Sequence, residues 1–360
     1  MVFNTLGRYV GWRFLTATIG VFLGISLLVM LIDYIEMTRR ASNVAGISPL
    51  IVAATSLSRI PQITERLLPF CILIAGMVAY LGLSRRNELV IARAAGISAW
   101  QFVTPAVVVA FVIGTLATVA YNPIAAGLFE RSKRLEQQMF RNPGAGAGSR
   151  FWIRQRSPTG QSILHAASSR GQGAALSGIT VFAFDAEGHF AERVEAESAT
   201  LEPGQWRLTN ARVYTTSAPP RQSAQYLLST NLTGEQVRES FATPETISFW
   251  QLPLYIDLAE KAGLVANAYR FQYQMLLAKP FLLSAMVLMA ASVSLQFFRF
   301  GGVQKMVLGG VAGGFLLYIL SKVTEDLSKA ELMHPVTAAW SPVVVGAFLG
   351  TLILLHQEDG

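Results

Sequence analysis

Long apolar runs alternate with short polar connections along most of the chain. Six runs are long enough, or nearly so, to cross about 30 Å of hydrocarbon as helices. They cover residues 14–32, 67–84, 97–121, 280–298, 306–321 and 336–355. The fifth is the shortest, with sixteen uncharged residues, and the second is expected to begin earlier, near Ser56. The pattern predicts a mixed membrane protein with six transmembrane α-helices in a 3+3 arrangement.

One long polar block, 129–263, separates the third run from the fourth. It opens with a polar helical stretch, passes through the glycine-rich stretch 142–148 and continues with short segments of alternating polarity. Turn signals at 185–188 and 202–205 separate these segments. We therefore predict an inserted antiparallel β domain, a sandwich or jelly roll by strand count, that closes with an amphipathic helix capped by Gly263. The predicted domains are 1–128, 129–263 and 264–360.

The orientation follows from the basic residues in the short connections. The first run is followed by Asp33 and a charged stretch rather than by a small-residue cleavage site, so we interpret it as a retained span. More lysines and arginines fall on the side of the N-terminus than on the opposite side, which favours both termini inside and the β domain outside. The inside residues are Arg8, Arg13, Arg85, Arg86, Arg93, Arg299 and Lys305.

The composition agrees with a membrane protein. Hydrophobic residues make up 52% of the chain and charged residues 14%, where soluble proteins carry about 25%. The net charge of +7 comes from basic residues at the ends of apolar runs, not from clusters with aromatic residues. We therefore assign the charge to membrane topology and anionic head groups, and expect no nucleic-acid partner. The single cysteine, Cys71, excludes a disulfide within the chain.

No catalytic constellation is evident in the sequence. The four histidines lack metal-ligand spacing, and neither a phosphate-binding loop nor a nucleophile elbow is present. We therefore expect no metal, no cofactor in this chain and no ATP hydrolysis by it. The acidic residues near the spans fall at their outer ends, which argues against a proton- or sodium-coupled carrier. They are Asp33, Glu36, Glu65, Glu325 and Asp326.

The connection between the second and third runs is predicted to be a short helix ended by Gly96. Its charged residues are Arg85, Arg86, Glu88 and Arg93. A polar helix parallel to the inner membrane surface is able to act as a lever for a soluble partner. An ordinary positively charged inside loop is the alternative.

Two further patterns have more than one reading. Basic residues gather at the outer ends of the spans, where guanidinium groups pair with lipid phosphates or simply extend to bulk head groups. These residues are Arg39, Arg40, Arg59, Arg66 and Lys279.

Gly20-x-x-x-Gly24 and Gly310-x-x-x-Gly314 allow close helix approach in the first and fifth spans, although small-residue faces are common in any helix bundle.

Several motifs lie on this layout. The inner loop has the sequence Ser84-Arg85-Arg86-Asn87-Glu88-Leu89-Val90, then Arg93-Ala94-Ala95-Gly96-Ile97-Ser98, after an earlier Leu68-Pro69. Thr230-Asn231-Leu232-Thr233 lies late in the β domain, and Tyr269-Arg270-Phe271-Gln272 leads into the fourth span. Over essentially the whole chain, this combination resembles the LptF/LptG family of lipopolysaccharide export permeases. The last two motifs are more similar to its LptG branch.

The resemblance implies one half of an ABC-type extractor in the inner membrane of a Gram-negative bacterium. The implied partners are an LptF-like permease subunit, an LptB-like ATPase dimer that binds ATP and Mg, an LptC-like membrane-anchored jelly-roll protein, and lipopolysaccharide. The β domain is implied to be a twisted periplasmic jelly roll that receives acyl chains. ATP-driven closure of the partner would push the coupling helix, narrow a cavity between the spans and expel the lipid upward.

The resemblance also implies roles for individual residues. The coupling set is Arg85, Arg86, Glu88, Leu89, Arg93 and Gly96, with Glu88 as its leading member. Arg39 and Arg40 would hold lipid phosphates; Asp33 stands where a further basic residue is expected, which shifts contacts to Arg59 or Arg66. The glycines Gly20, Gly24, Gly310 and Gly314 would lie on lateral-gate faces. Phe182, Phe184 and Trp206 are candidates for an acyl path.

Two other functions remain open at the level of sequence. The first is a mechanotransmitting ABC subunit that moves an outside domain without carrying lipid, and bound lipid in the purified complex distinguishes it from an extractor. The second is a membrane-anchored scaffold or sensor, which would need no ATPase partner. Copurification of an ATPase distinguishes the second.

Overall fold

A computed structural model describes most of the chain, namely residues 5–42, 47–140, 151–157, 160–170, 175–185, 189–215, 219–230, 243–261, 266–298 and 303–358. Residue contacts divide the chain into two compact units. The first is Met1–Glu136, Glu245–Trp250 and Asn267–Gly360, and the second is Gln137–Pro244 and Gln251–Ala266. The glycine-rich stretch 142–148, the motif residues Asn231, Leu232 and Thr233, and the predicted cap Gly263 lie outside the described residues.

Long helices form the first unit. Before the sheet they are α1 (Thr5–Ala41), α2 (Pro49–Arg85), the short α3 (Glu88–Ala94), α4 (Ala99–Leu116) and α5 (Asn122–Met139), with a π-helical segment, Ala117–Tyr121, joining α4 to α5. A 3₁₀ turn, Pro244–Thr246, follows the sheet, and α6 (Leu252–Lys261) comes after it and belongs to the second unit. The last helices are α7 (Asn267–Phe298), α8 (Val303–Lys329) and α9 (Pro335–Glu358).

Serine side chains start two of the spanning helices. Ser48 accepts a hydrogen bond from the backbone N of Leu50 at 3.4 Å at the start of α2, and Ser98 accepts one from Gln101 N at 3.2 Å at the start of α4. Each hydroxyl satisfies a backbone donor that the helix itself leaves without an acceptor. The N-cap of α4 therefore fixes the point at which the inner connection ends and the next span begins.

Five helices among the described residues are long and apolar enough to cross a membrane. They are Thr5–Ala41, Pro49–Arg85, Ala99–Glu136, Asn267–Ser294 and Pro335–His356. The fifth predicted span corresponds to α8, which has 27 residues but is not among the five. Its glycines add little hydropathy, and its outer end carries Lys322, Glu325 and Asp326. The protein is a helical membrane protein with five candidate spans and an inserted antiparallel sheet.

The core of the first unit is centred on α7. Small residues of α7 lie against α2, where a Cβ on Gly76 would come 2.7 Å from the Ala290 Cβ. On the side of α4, a Cβ on Gly114 would come 2.5 Å from the Cα of Pro280, so only glycine allows this approach of the two backbones. Alanines and glycines at these crossings allow helix backbones to pack closely in a membrane.

In the described part of the second unit, six antiparallel strands form a sheet. They are β1 (Phe151–Ser157), β2 (Gly160–Arg170), β3 (Ala175–Phe184), β4 (Phe190–Glu202), β5 (Gln205–Thr215) and β6 (Arg221–Ser229). Each strand pairs with the next strand along the chain. Both predicted turn signals lie between paired strands, and Gly204 (φ +79°) supplies the left-handed residue of the β4–β5 turn.

The topology of this sheet differs from the predicted one. The alternating segments 151–153, 162–165, 179–184, 190–201 and 206–214 predicted β1 to β5. The pattern missed β6, whose polar residues Arg221, Gln222 and Gln225 weaken the alternation. Among the described strands the order is that of a meander, so the crossing connections of a jelly roll or sandwich are not found among their pairings. Local pattern thus predicted five of the six described strands, but it does not distinguish Greek-key from meander connections.

Candidate functional site

The inner connection between α2 and α4 contains a helix that is shorter than predicted. The prediction placed it at 85–96, but Arg85 is the last residue of α2 and Arg86 caps that helix. Asn87 has a φ of +59° and its N–H bonds to Ser84 O at 2.9 Å, which ends α2 before Glu88 starts α3. At the other end, Gly96 (φ +81°) terminates α3 as predicted, and Ile97 N donates to Ala92 O at 3.1 Å.

Glu88 contacts another helix, α1. The hydroxyl of Tyr9, in the second turn of α1, donates a hydrogen bond to Glu88 Oε1 at 3.2 Å. Arg85, Arg86 and Ile91 are exposed beside it, while Ala92 is buried. The predicted coupling residues Leu89 and Arg93 belong to α3, but their side chains lie outside those described. The segment thus presents charged and apolar groups on the surface and is joined to α1 through Glu88.

The four arginines predicted at the outer ends all have an acidic partner within the chain. Arg39 and Arg40 both pair with Glu36, at 2.8 and 2.9 Å. Arg66 pairs with Glu245 at 3.1 Å. An anionic ligand at any of these positions must compete with a carboxylate, and Arg39, with 76% of its side chain exposed, is the most accessible of them.

Asp33 lies beside Arg59 at the outer ends of α1 and α2. Arg59 Nη1 is 3.7 Å from Asp33 Oδ1 and donates to Met37 Sδ at 3.4 Å. The hydroxyl of Ser56 donates to Asp33 Oδ2 at 2.7 Å. Asp33, which stands where a basic residue was expected, is therefore the ion-pair partner of Arg59. Arg59 is one of the two arginines that were predicted to make the lipid contact instead.

The two predicted glycine faces have different surroundings. Gly20 and Gly24 have open space where a Cβ would stand, and their neighbours Leu23 and Leu27 are exposed. In contrast, a Cβ on Gly310 would meet Met77 and a Cβ on Gly314 would meet Leu73, both at 2.4 Å. These two glycines allow α8 to pack closely on α2 of the same chain.

The three aromatic residues predicted for an acyl path do not lie together. Trp206 is fully buried in a cluster that includes Val181 and Val194. Phe182 and Phe184 alternate with Val181 along β3, so they point to the opposite face of the sheet. The three residues therefore do not line one path, and Trp206 is part of the sheet's core.

A buried polar cluster was missed by the sequence analysis. The ammonium group of Lys279 in α7 pairs with Glu65 Oε1 in α2, and the Nδ2 of Asn122 donates to both carboxylate oxygens at 3.1 and 3.2 Å. All three residues are buried. Taken alone, Glu65 and Lys279 each resembled a charged residue at the end of a span. Because the two residues are 214 positions apart in the sequence, their pairing leaves no local signal.

Among the described residues, no set of three histidine, cysteine or carboxylate side chains is placed to hold a metal ion.

Comparison with known proteins identifies relatives over nearly the whole chain. Residues 8–356 match the family described as lipopolysaccharide export system permease LptF/LptG. The chain is 22% identical over 370 residues to the lipopolysaccharide export system permease protein LptG of Escherichia coli (strain K12), covering 99% of each chain. It is also 22% identical over 372 residues to the LptG protein of Haemophilus influenzae (strain KW20 / Rd), covering 98% of this chain and 96% of the relative.

Proposed function

Since the chain belongs to the LptF/LptG family of lipopolysaccharide export permeases, we propose that it is the LptG-like subunit of an ABC-type extractor. Members are multi-pass subunits of the inner-membrane permease without a catalytic domain. In the proposal, the complex lifts lipopolysaccharide from the outer leaflet of the inner membrane and passes it to a periplasmic jelly-roll bridge toward the outer membrane. The observation that carries the proposal is α1, which contacts the inner segment at Glu88 and leaves most of its span unpacked.

The energy for transport enters through α3 in this proposal. An LptB-like ATPase dimer binds ATP and Mg, so this chain needs no cofactor, and its closure pushes the segment that contains Arg85, Arg86 and Glu88. The exposure of the two arginines and of Ile91 supports a protein partner at this surface. Because the hydroxyl of Tyr9 contacts Glu88, a displacement of α3 acts directly on the inner end of α1.

The lipid binds at the other end of α1, away from α3. Phosphate groups are strong bidentate acceptors for arginine, so they are able to replace Glu36 at Arg39 and Arg40 and Asp33 at Arg59. The open face at Gly20 and Gly24 supports an LptF-like subunit and a lipid-sized cavity next to α1. The proposal includes six spans with α8 as the fifth, both termini in the cytoplasm, and the domains 1–128, 129–263 and 264–360.

The β unit is proposed to lie in the periplasm and to meet an LptC-like membrane-anchored protein. In the described sheet β1 and β6 are the edge strands, and they support such a contact because an edge strand is able to add a strand from a partner. A closed jelly roll in the full complex belongs to this proposal.

Replacing Glu88 with alanine tests the route of energy. We expect copurification of the ATPase subunit to fall about tenfold, since a charge-assisted contact contributes roughly 1.5–3 kcal/mol, and ATP-dependent release of lipopolysaccharide from proteoliposomes to fall with it. Glu130→Ala is the matched control, because Glu130 is also exposed on a helix and pairs with a basic residue, Arg134, four positions away. Normal assembly and release in Glu88→Ala would contradict the proposal.

Crosslinking tests the lipid site. A photoreactive residue at position 39 or 40 should crosslink to lipopolysaccharide, and the yield should fall as salt increases because exposed ion pairs are screened. Crosslinks elsewhere in the spans together with none at these positions would overturn the assignment. A purified ATPase complex with no bound lipid would instead favour mechanotransmission.

A further inference from the structure

The segment Glu245–Trp250, which we name the strap, packs with the spanning helices. Pro244 before it and Gln251 after it belong to the second unit, so the strap is joined to that unit by the chain at both ends. The strap itself groups with the first unit. Because the strap is covalently linked to the second unit at both of its ends, a displacement of the strap is passed on to that unit.

At least four contacts hold the strap. Glu245 pairs with Arg66 of α2 at 3.1 Å. The backbone N–H of Phe249 donates to Asn122 Oδ1 at 2.9 Å. The ring of Phe249 stacks on Tyr273 of α7, with 5.4 Å between centroids and 12° between planes.

The fourth contact depends on the π-helical segment. The indole N–H of Trp250 donates to Val119 O at 3.1 Å, within Ala117–Tyr121. A π-helical turn disturbs the regular backbone pairing of a helix, so its carbonyls are available to outside donors. The same segment contacts α2 through a 2.8 Å hydrogen bond between the Tyr121 and Thr64 hydroxyls, and α7 through Thr118 Oγ1 to Leu276 O at 2.9 Å.

Asn122 connects the strap to the buried ion pair. Its amide nitrogen donates to both oxygens of Glu65, and its oxygen accepts from the strap. Glu65 is also paired with Lys279 of α7. A buried ion pair needs further hydrogen bonds to offset the loss of its hydration, and here Asn122 supplies two of them. One side chain therefore joins α2, α5, α7 and the strap.

We infer that Glu65, Asn122 and Lys279 are positioning residues that clamp the strap to the moving spans and thereby transmit their displacement to the second unit during transport. This inference rests on the proposed export function. These three residues, which we name the clamp, lie at a distance from the coupling segment. Their loss is therefore expected to lower lipid release without an equal fall in ATP hydrolysis.

Asn122→Ala is the direct test, made in the complete ATPase complex. It removes the acceptor for Phe249 N–H and the two hydrogen bonds to Glu65, while both residues of the Glu65–Lys279 pair remain. We expect hydrogen exchange of the 245–250 peptide to increase about tenfold, because the backbone of the strap loses its hydrogen bond to α5. The ATPase rate should stay within about twofold, while lipopolysaccharide released per ATP falls about fivefold or more.

Gln62→Ala is the matched control, since Gln62 is also a buried amide on a spanning helix and has no contact with the strap in the described structure. It should change neither exchange of the strap nor release per ATP. Reattachment gives a second test. In a Cys71→Ala background, Phe249→Cys and Tyr273→Cys joined by a short bismaleimide should restore release to Asn122→Ala, whereas the same variant without the linker should remain impaired.

The possible results separate the inference from the proposed function. If the unaltered complex shows no ATP-dependent release, the export function fails. If the unaltered complex does release lipid, two results for Asn122→Ala would overturn the clamp. In the first, hydrogen exchange of the strap is unchanged. In the second, exchange of the strap increases but the lipid released per ATP does not fall. If Asn122→Ala does not assemble, Trp250→Phe takes its place, because phenylalanine has no N–H to donate to Val119 O. We expect the same pattern in a weaker form. Normal coupling in Trp250→Phe would overturn the inference.

Discussion

The first and fourth spans, α1 and α7, are both long apolar helices, yet they occupy different environments. In the most apolar window of α1, 6% of the residues are buried within this chain, against 72% in α7. The outer part of α1 presents Leu23, Leu27 and Leu31, whereas α7 packs through small residues such as Ala285, Ala290 and Ala291.

The difference shows that hydropathy alone does not decide which span becomes the core. Lipid is as apolar as a leucine side chain, so burial of leucine against protein gains little in a membrane. Small residues decide close packing because they let two backbones approach, as Gly76 does at Ala290. We interpret α7 as the packed centre of the unit and α1 as the helix that meets partners and lipid.

The largest expected effect comes from the ion pair that α7 buries. Glu65→Leu leaves Lys279 unpaired in the core and should destabilise the protein by about 3–5 kcal/mol. The double variant Glu65→Leu/Lys279→Leu should recover a large part of this loss, because an apolar pair needs no hydration. Thermal unfolding in detergent measures both variants. Equal loss in the single and the double variant would show that the pair is not the cause.

The same substitution at two glycines compares the two spans directly. Gly76→Ala places a methyl group 2.7 Å from Ala290 Cβ and should destabilise the fold by about 1–3 kcal/mol. Gly24→Ala meets nothing within 4 Å and should be neutral or slightly stabilising, by up to roughly 1 kcal/mol. Thermal unfolding of both variants is the measurement. A similar loss at both positions would contradict the assignment of α1 as an open helix.

A smaller effect is expected where α1 reaches the outer surface. Asp33→Asn removes the carboxylate beside Arg59 and should tighten binding of lipopolysaccharide by about fivefold, since a partly exposed pair contributes roughly 1 kcal/mol. Titration of the purified complex at several salt concentrations measures the change. Glu325→Gln removes an acid from the outer end of α8 and serves as the control. Unchanged or weaker binding in Asp33→Asn would remove Arg59 from the lipid site.

The smallest effect is expected at the inner end of α1. Tyr9→Phe deletes one exposed hydrogen bond to Glu88 and should increase hydrogen exchange of 88–94 by roughly two- to fivefold, for a loss below about 1 kcal/mol. Tyr34→Phe, in the outer part of α1, should leave that exchange unchanged. Equal exchange in Tyr9→Phe and the unaltered protein would show that α1 and α3 are not joined at this point.

The sequence predicted those features that depend on local patterns. Apolar length located five of the six predicted spans, Gly96 located the end of α3, and the turn signals located two β hairpins. The start of α3 was wrong because the left-handed conformation of Asn87, which separates Glu88 from α2, has no strong sequence signal. The true length of α2 was also missed, because the helix begins at Pro49 and not near Ser56, which places Glu65 deeper inside it than predicted.

Features that depend on contacts between distant residues could not be predicted in this way. The partner of a glycine is not encoded beside it, so Gly20 and Gly310 looked equivalent although one is open and the other meets Met77. The same limit applies to the partners of Arg59 and Lys279. The resemblance to a family indicated a function for the inner segment, but the clamp on the strap became visible only from the contacts of Asn122.

The meander of the sheet has a consequence for biosynthesis. Each described strand pairs with the one made immediately before it, so the sheet is able to assemble in order, hairpin by hairpin, as the polypeptide emerges from the membrane. All six strands precede Asn267, where α7 starts. The β unit is thus able to complete its pairing while the helix that becomes the centre of the membrane bundle is still being synthesised.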